Sequence, residues 1–339
     1  MKVCLYLEFY NFLGGILFKN VGTGLLSSYK NQKKALDKLG IKYTEKWDNS
    51  CDILQINTPW LKSIWLIKKA KKLGKKVIIW SHVTAEDAEQ VFRFNKYLFP
   101  LIKKYLTYAY GLADIVFCPT EYTKSLLVAY GLPESKLLVQ SNGVDTSFFK
   151  KDDKKREDAR KKYGFNEKII GTVGLVIPRK GVDRFIDLAK KFPEYKFVWF
   201  GKIYSQILAK SLPKELPKNV TFTGYVDDIV ASYNALDIFL FLSYEENQGM
   251  AILEAASVEL PILVSEIPAY KGWLKNSENC LMAKSNDELE TYLGKMVKND
   301  NGIIDTLKEG AKRLANKESI ETSNKNLIMV YNSLLGKQS

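Results

Sequence analysis

The chain has 339 residues, enough for about two domains, and carries 51 Lys and Arg against 38 Asp and Glu, a net charge of +13. Its 46% hydrophobic and 26% charged content excludes bulk disorder. Four scattered cysteines (Cys4, Cys51, Cys118, Cys280), with no C-x-x-C pair, exclude a disulfide framework and a structural zinc site and point to a reducing compartment.

In chain order, short apolar runs at 2–7, 53–56, 76–80 and 115–118 read as strands. Helical periods lie between them at about 24–40, 60–74, 91–111 and 122–131. Glu8 interrupts the first apolar run and no small-residue cleavage site follows, so this end does not read as a signal peptide. The alternation pauses at Ser141-Asn142-Gly143-Val144-Asp145, which is turn chemistry, and a highly charged run over 150–162 follows. It resumes with strands at 168–173, 196–200, 220–223, 238–242 and 261–264. Helices are expected at about 181–192, 227–235, 250–258, 286–298 and 303–316, with a helical tail at 318–336. The segment 229–244 is the most apolar, but Asn234 and Asp237 interrupt it and it is too short to span a bilayer.

Strands alternating with helices imply parallel sheets built from βαβ units. The expected organisation is one α/β domain over 1–145, a second over 146–317, and a tail over 318–339. Doubly wound sheets bind ligands beyond the carboxyl ends of their strands, so chemistry is sought there.

One such strand end leads into Ser243–Glu254. Glu246 and Glu254 stand eight residues apart around Gly249, which permits a tight turn where a helix begins. Backbone N–H groups from about Gln248 through Met250 to Ala251 would face an anion, and Glu254 would reach ribose hydroxyls. The same spacing also suits a strand–loop–helix unit with two solvated glutamates. A second strand end leads into Gly174 and the adjacent cations Arg179 and Lys180, a pair suited to a diphosphate or to an ordinary basic loop. His82, the one histidine, follows the strand at 76–80, as either a site residue or a structural one. Gly22-Thr23-Gly24 follows the first strand without a full G-x-G-x-x-G. No Walker A sequence is present. Asp52, Asp114 and Asp237 flank strands, where a carboxylate is more often structural.

The paired Glu246 and Glu254, Arg179-Lys180-Gly181, Asn142-Gly143-Val144-Asp145 and strand-end His82 together resemble the family-4 retaining glycosyltransferases, in order and over nearly the whole chain. The resemblance implies the GT-B fold: α/β, with two Rossmann-like doubly wound parallel-sheet domains, the first for acceptor and membrane and the second for nucleotide-sugar, facing a cleft that holds the nucleotide-sugar, and with the tail over 318–339 packing back on the first domain. The strings Gln55-Ile-Asn-Thr, Ser81-His82, Phe222-Thr-Gly-Tyr225 and Ile267-Pro-Ala-Tyr-Lys-Gly-Trp-Leu274 look like the bacterial diglycosyldiacylglycerol synthases. Those enzymes add a second hexose to monoglucosyldiacylglycerol.

Carried onto this sequence, the resemblance gives each residue a role. Arg179 and Lys180 would hold the diphosphate and stabilise its departing charge. Glu246 would bind donor-sugar hydroxyls, the amides near Gln248, Gly249 and Met250 would meet sugar and phosphate, and Glu254 would bind the ribose. Tyr225 and Val226 would lie beside the uracil. His82 would touch the sugar near the reaction centre, and Gly22, Gly24 and Gly174 would let backbone approach the phosphates. The donor implied is UDP-glucose. No cofactor is bound permanently, no Asp-x-Asp motif marks a metal site, and Mg2+ is at most a stimulating ion. Asn247-Gln248 stands where the wider family often has a bulky aromatic, which leaves glucose and galactose both open.

The charge excess is local: residues 57–111 hold 11 basic and 3 acidic residues. Trp60, Trp65, Lys68, Lys69 and Lys72 share one basic helix. Arg93, Phe94, Lys96, Lys103 and Lys104 belong to a second, whose expected buried stripe is Phe94, Leu98, Leu101, Ile102, Tyr105 and Ala109, with Phe99 and Tyr108 outside it. Aromatic and basic helices read as interfacial anchors on anionic phospholipid, at the cytoplasmic face of a membrane, with a glycolipid acceptor. Two other readings stand beside this one: transfer to a soluble or polyprenyl-linked saccharide, and a basic nucleic-acid-binding protein, for which no recognition module is present.

Overall fold

The computed structural model describes residues 1–8, 24–89, 95–203 and 216–337. The chain folds as two units: Leu25–Gly143 with the first strand and the residues from Ile320 onward, and Val144–Ser319 with Gly24.

The first unit runs β1 (Lys2–Tyr6), α1 (Gly24–Lys38), β2 (Lys42–Thr44), β3 (Ile53–Ile56), α2 (Leu61–Lys72), β4 (Lys76–Trp80), α3 (Ala85–Glu89), α4 (Asn95–Gly111), β5 (Ile115–Cys118), α5 (Glu121–Ala129) and β6 (Leu137–Val139). The six strands pair in parallel in the order β2-β1-β3-β4-β5-β6. Runs such as KVIIW in β4 are apolar on both faces because helices cover both faces. Glu8 has a structural use: its buried carboxylate accepts the N–H groups of Lys62 (3.1 Å) and Ser63 (2.7 Å), so it caps α2, whose preceding residue Trp60 supplies no side-chain cap.

The buried stripe of α4 differs from the expected one. Ile102, Tyr105 and Ala109 pack on the core as expected and Tyr108, expected outside the stripe, is 48% exposed, but Phe99 and Leu106 also pack there and Leu101 is 64% exposed. Leu106 and Tyr110, both buried, turn the face away from Leu101. The expected start of this helix, 91–94, lies outside the described residues, as does the side chain of Leu98.

The second unit runs α6 (Asp153–Tyr163), β7 (Ile169–Val173), α7 (Val182–Lys191), β8 (Lys196–Phe200), β9 (Val220–Gly224), α8 (Ile229–Asn234), β10 (Ile238–Phe241), α9 (Met250–Ser257), β11 (Ile262–Ser265), β12 (Leu281–Ala283), α10 (Asn286–Lys298) and α11 (Ile303–Lys317). Its parallel strand order, β12-β11-β10-β7-β8-β9, is the 3-2-1-4-5-6 order of dinucleotide-binding sheets when counted from β7. The charged run over 150–162 is not a pause in structure but largely the helix α6. Asp152 accepts the Lys155 N–H at 2.9 Å, and Gly164 in the left-handed region ends the helix. Arg156 and Arg160 bind Asp237 and the carbonyls of residues 234–236.

Asp52, Asp114 and Asp237 share one task. Each precedes a strand and accepts the backbone N–H that opens or enters the parallel neighbour: Lys2 at 2.8 Å, Val77 at 2.7 Å and Ile169 at 2.7 Å. The carboxylate satisfies an N–H at the sheet margin that no strand reaches.

The last helix, α12 (Ile320–Leu334), belongs to the first unit. Its Ile320, Leu327 and Tyr331 lie in one core with Val3, Leu5, Tyr29, Ile78, Trp80 and Phe117. Among the described residues no helix is long and apolar enough to cross a membrane.

Candidate functional site

In the second sheet, β7 and β10 are neighbours from which the chain departs in opposite directions, and ligands gather beyond such a switch. The loops that leave these two strands carry the charged residues. After β7 comes a single 3-10 turn, Pro178–Lys180, closed by Gly181 at φ 75°. A Cβ at Gly181 would stand 2.1 Å from the Leu242 carbonyl oxygen, so only glycine lets the loops meet. The Tyr244 N–H donates to the Arg179 carbonyl at 2.9 Å and joins them.

This contact brings opposite charges together. Lys180 Nζ forms an ion pair with Glu246 and also lies 4.7 Å from the centre of the Phe241 ring. Arg179 stands 3.5 Å from the same carboxylate oxygen and donates to the Glu245 carbonyl. Burial pushes the Glu246 carboxyl up, but the Lys180 and Arg179 charges outweigh it and hold the group below the ordinary carboxylate value. A buried anion between two cations is thus ready for a polar ligand, and the cations are ready for an anionic one.

Gly249, at φ 87°, turns the chain into α9 and provides no side-chain cap, so the leading N–H groups of that helix form an anion-attracting end beside the cations. Gln248 and Met250 are buried there. Glu254, one turn into α9, accepts the Tyr233 hydroxyl at 2.6 Å. Burial first, and Glu254 next, push the Tyr233 phenol up, so it stays a donor. Gly174 ends β7, and its carbonyl accepts the Trp199 indole N–H at 2.9 Å. Tyr225, after β9, is exposed and Val226 is half-buried.

Two tyrosines of this site were not legible as site residues in the sequence. Tyr233 follows from no motif. Tyr270, fully buried, carries a hydroxyl with no hydrogen-bond partner among the described residues; burial and then the Glu246 charge push it up.

In the first unit, His82 follows β4 and stacks on Trp80, with ring centres 5.6 Å apart. Its Nε2 lies 3.3 Å from Asn57 Oδ1 and 3.4 Å from Ser28 Oγ. Burial pushes its pKa down to about 3, so the ring is neutral. Gly24 opens α1; Gly22 lies outside the described residues. Glu246, Arg179, Lys180, Gly174, Gln248 and Gly249 therefore belong to loops of one sheet, Met250 and Glu254 to the helix α9 that follows them, and His82 to the other unit. Among the described residues no three His, Cys, Asp or Glu side chains group as a metal site.

Outside these loops, α2 and α4 present one basic and apolar face. Leu61 is 79% and Trp65 57% exposed, Trp60 is exposed beside them, and Leu101 and Tyr108 join from α4. Lys68 sits 5.6 Å over the Tyr108 ring, and Lys69 5.3 Å over Trp65. Lys72 and Lys104 are exposed, while Lys103 is half-buried, 5.0 Å over the Tyr130 ring. Arg93 and Phe94 lie outside the described residues, as does the side chain of Lys96.

Both units match known proteins. Residues 155–316 match the family of glycosyl transferases group 1, and residues 28–148 match glycosyltransferase family 4. A processive diacylglycerol alpha-glucosyltransferase of Acholeplasma laidlawii is 30% identical over 99% of this chain and 99% of its own. An alpha-galactosylglucosyldiacylglycerol synthase of Streptococcus pneumoniae is 25% identical over 95% of this chain and 87% of its own. The crystal structure of Anabaena HepE in complex with UDP-glucose superposes with a TM-score of 0.71 at 17% identity, covering 89% of this chain and 88% of that one. At that identity the likeness establishes the fold, which is GT-B.

Proposed function

Because the chain belongs to the group 1 and family 4 glycosyltransferases, we propose that it moves a hexose, glucose first, from a UDP-sugar to monoglucosyldiacylglycerol, giving diglucosyldiacylglycerol with retention. The observation that carries this reading is the Arg179–Lys180–Glu246 cluster beyond β7 and β10, in a chain with a full-length relative named for diacylglycerol glucosylation. The relative's name supports retention: UDP-glucose is α-linked, and an alpha-glucosyltransferase leaves an α-linked product.

In this reading the acceptor hydroxyl oxygen forms the new bond to the anomeric carbon as the bond to the diphosphate breaks on the same face. The proton passes to the departing phosphate oxygen. Arg179 and Lys180 hold that diphosphate and meet its growing charge, with the α9 N-terminus beside them. Glu246, kept ionised by the same cations, accepts from donor-sugar hydroxyls. Glu254, aimed by Tyr233, binds the ribose. Tyr225 and Val226 flank the uracil. Gly174 and Gly24 let backbone near the phosphates, and the neutral His82 touches the sugar. Catalysis is positioning and electrostatic stabilisation, with no dedicated metal.

The face of α2 and α4 gives such an enzyme its seat. Trp65, Leu61, Leu101 and Tyr108 enter the headgroup layer while Lys68, Lys72 and Lys104 meet anionic phospholipid, as in a peripheral protein on the cytoplasmic side.

Transfer of labelled hexose tests the whole reading. Labelled UDP-glucose and, separately, UDP-galactose are supplied with mixed micelles of phosphatidylglycerol and either diacylglycerol or monoglucosyldiacylglycerol. A diglucosyl lipid is expected. A galactosyl product would change the donor, and product from diacylglycerol would widen the acceptor. UDP release without any lipid product would discard the acceptor.

A further inference from the structure

Gln55 is fully buried in the middle of β3, an otherwise apolar central strand, so its amide must find partners inside the protein. It finds two. Tyr331 of α12 donates its hydroxyl to Gln55 Oε1. Gln55 Nε2 donates to Gln32 Oε1 at 2.9 Å. Gln32 Nε2 donates in turn to Asn57 Oδ1 at 2.7 Å and to Ser28 Oγ at 3.2 Å. Ser28 donates to Asn142 Oδ1 at 2.7 Å. The chain of bonds ends at His82, whose Nε2 faces Asn57 Oδ1 and Ser28 Oγ.

The direction of each bond from Gln55 to Asn57 follows from the first, and the Ser28 bond to Asn142 stands by itself. Burial drives the Tyr331 phenol upward, so it keeps its proton. A phenol that only accepted would bury an unsatisfied O–H, a costly state, so Tyr331 donates. Gln55 must then present its oxygen to Tyr331 and its amide nitrogen to Gln32. Gln32 repeats the pattern toward Asn57, which turns its oxygen to His82. The single Ser28 proton is used by Asn142. Both atoms that face His82 Nε2 are therefore acceptors, and Nε2 must carry the ring proton.

We propose that Tyr331, on the last helix, is a positioning residue that fixes His82 as the Nε2–H tautomer through Gln55, Gln32 and Asn57. This rests on the reading that sets His82 against the donor sugar. A tautomer lock matters there because a neutral imidazole offers a donor on one nitrogen and an acceptor on the other, and exchanging them reverses what the sugar meets.

His82 is the one histidine in the chain, so nitrogen-labelled histidine gives a single ring to read by NMR. At neutral pH the protein should show its proton on Nε2. Tyr331→Phe keeps the ring volume and removes the donor, which frees Gln55 to turn over. The expected result is a second, Nδ1–H population and turnover lower by about tenfold with KM near its original value. Asn57→Asp in the Tyr331→Phe background places a side chain that can only accept beside His82, and should return the proton to Nε2. A folded Tyr331→Phe protein with the Nε2–H signal unchanged would overturn the proposal. If that variant does not fold, the unsubstituted protein decides, since a proton on Nδ1 also overturns it. A shifted tautomer with unchanged turnover would keep the role of Tyr331 and remove His82 from the reaction centre, so the two readings fail separately.

Discussion

Lys180 is engaged before any substrate arrives. It neutralises a buried carboxylate, and a diphosphate entering the site would add a second anion to a cation already in place. Replacing it removes both functions. Lys180→Ala should lower kcat by about 10²- to 10³-fold, the loss typical of one electrostatic contact to a developing charge; steady-state UDP release measures it, and a near-normal kcat would remove Lys180 from the site. His82 gives a pH signature of a different kind. Its folded pKa lies near 3, well below the usual histidine value of about 6.5. Between those values the unfolded chain binds a proton that the folded chain refuses. The contribution is complete above about pH 6.5 and declines as pH falls toward 3, by at most about 1.4 kcal/mol per pH unit. Urea unfolding of the protein and of His82→Asn, compared across this window, should diverge as pH falls, and parallel curves would refute the shift.

At the level of elements, the aspartates that precede β3, β5 and β10 act as strand fasteners, and Asp237 carries the largest share because it also holds α6 through Arg156 and Arg160. Asp237→Ala should cost about 3 kcal/mol, since it takes the counter-charge from two partly buried guanidinium groups and leaves one strand N–H unpaired; chemical denaturation reads this, and a loss under 1 kcal/mol would place the anchoring elsewhere. The exposed face of α2 and α4 makes a separate prediction. Trp65→Ala with Leu101→Ser should weaken sedimentation with phosphatidylglycerol vesicles about tenfold and leave neutral vesicles almost unbound, while added salt lowers binding of the unsubstituted protein. Binding indifferent to both changes would discard this face. These elements were unequally legible in sequence. The nine strands expected from apolar runs are present to within a residue or two. The missed ones, β2, β6 and β12, are three residues each, too short for periodicity to register. Helix α6 was hidden because only Ala159 is buried, leaving no apolar stripe. Glu246 and Glu254 were visible by their spacing about Gly249, and Arg179 and Lys180 by adjacency. Tyr233 and Ser28 were not, because their places depend on which strands neighbour which. Gln55 and Asn57 were visible only within the string Gln55-Ile-Asn-Thr, with no partner to explain either.

At the level of the whole molecule, the charge excess and the discontinuous first unit govern behaviour. A net charge of +13 favours approach to any anionic surface, and that long-range attraction weakens with ionic strength before the apolar contacts do. Removing residues from Ile320 onward takes Ile320, Leu327 and Tyr331 out of the core shared with β1, β4 and β5. Limited proteolysis of that shortened chain should cut the first unit while fragments spanning Val144–Ser319 persist; equal protection of both would contradict the assignment of α12. The return of α12 also bears on how the protein is made. A ribosome releases the chain from its amino end, so every strand of the first sheet emerges early, yet the helix that seals one face of that sheet emerges after the entire second unit. The unit written second is the first to be complete. Until α12 arrives, Val3, Leu5 and Ile78 lack part of their cover, which leaves an apolar face open to other chains during synthesis.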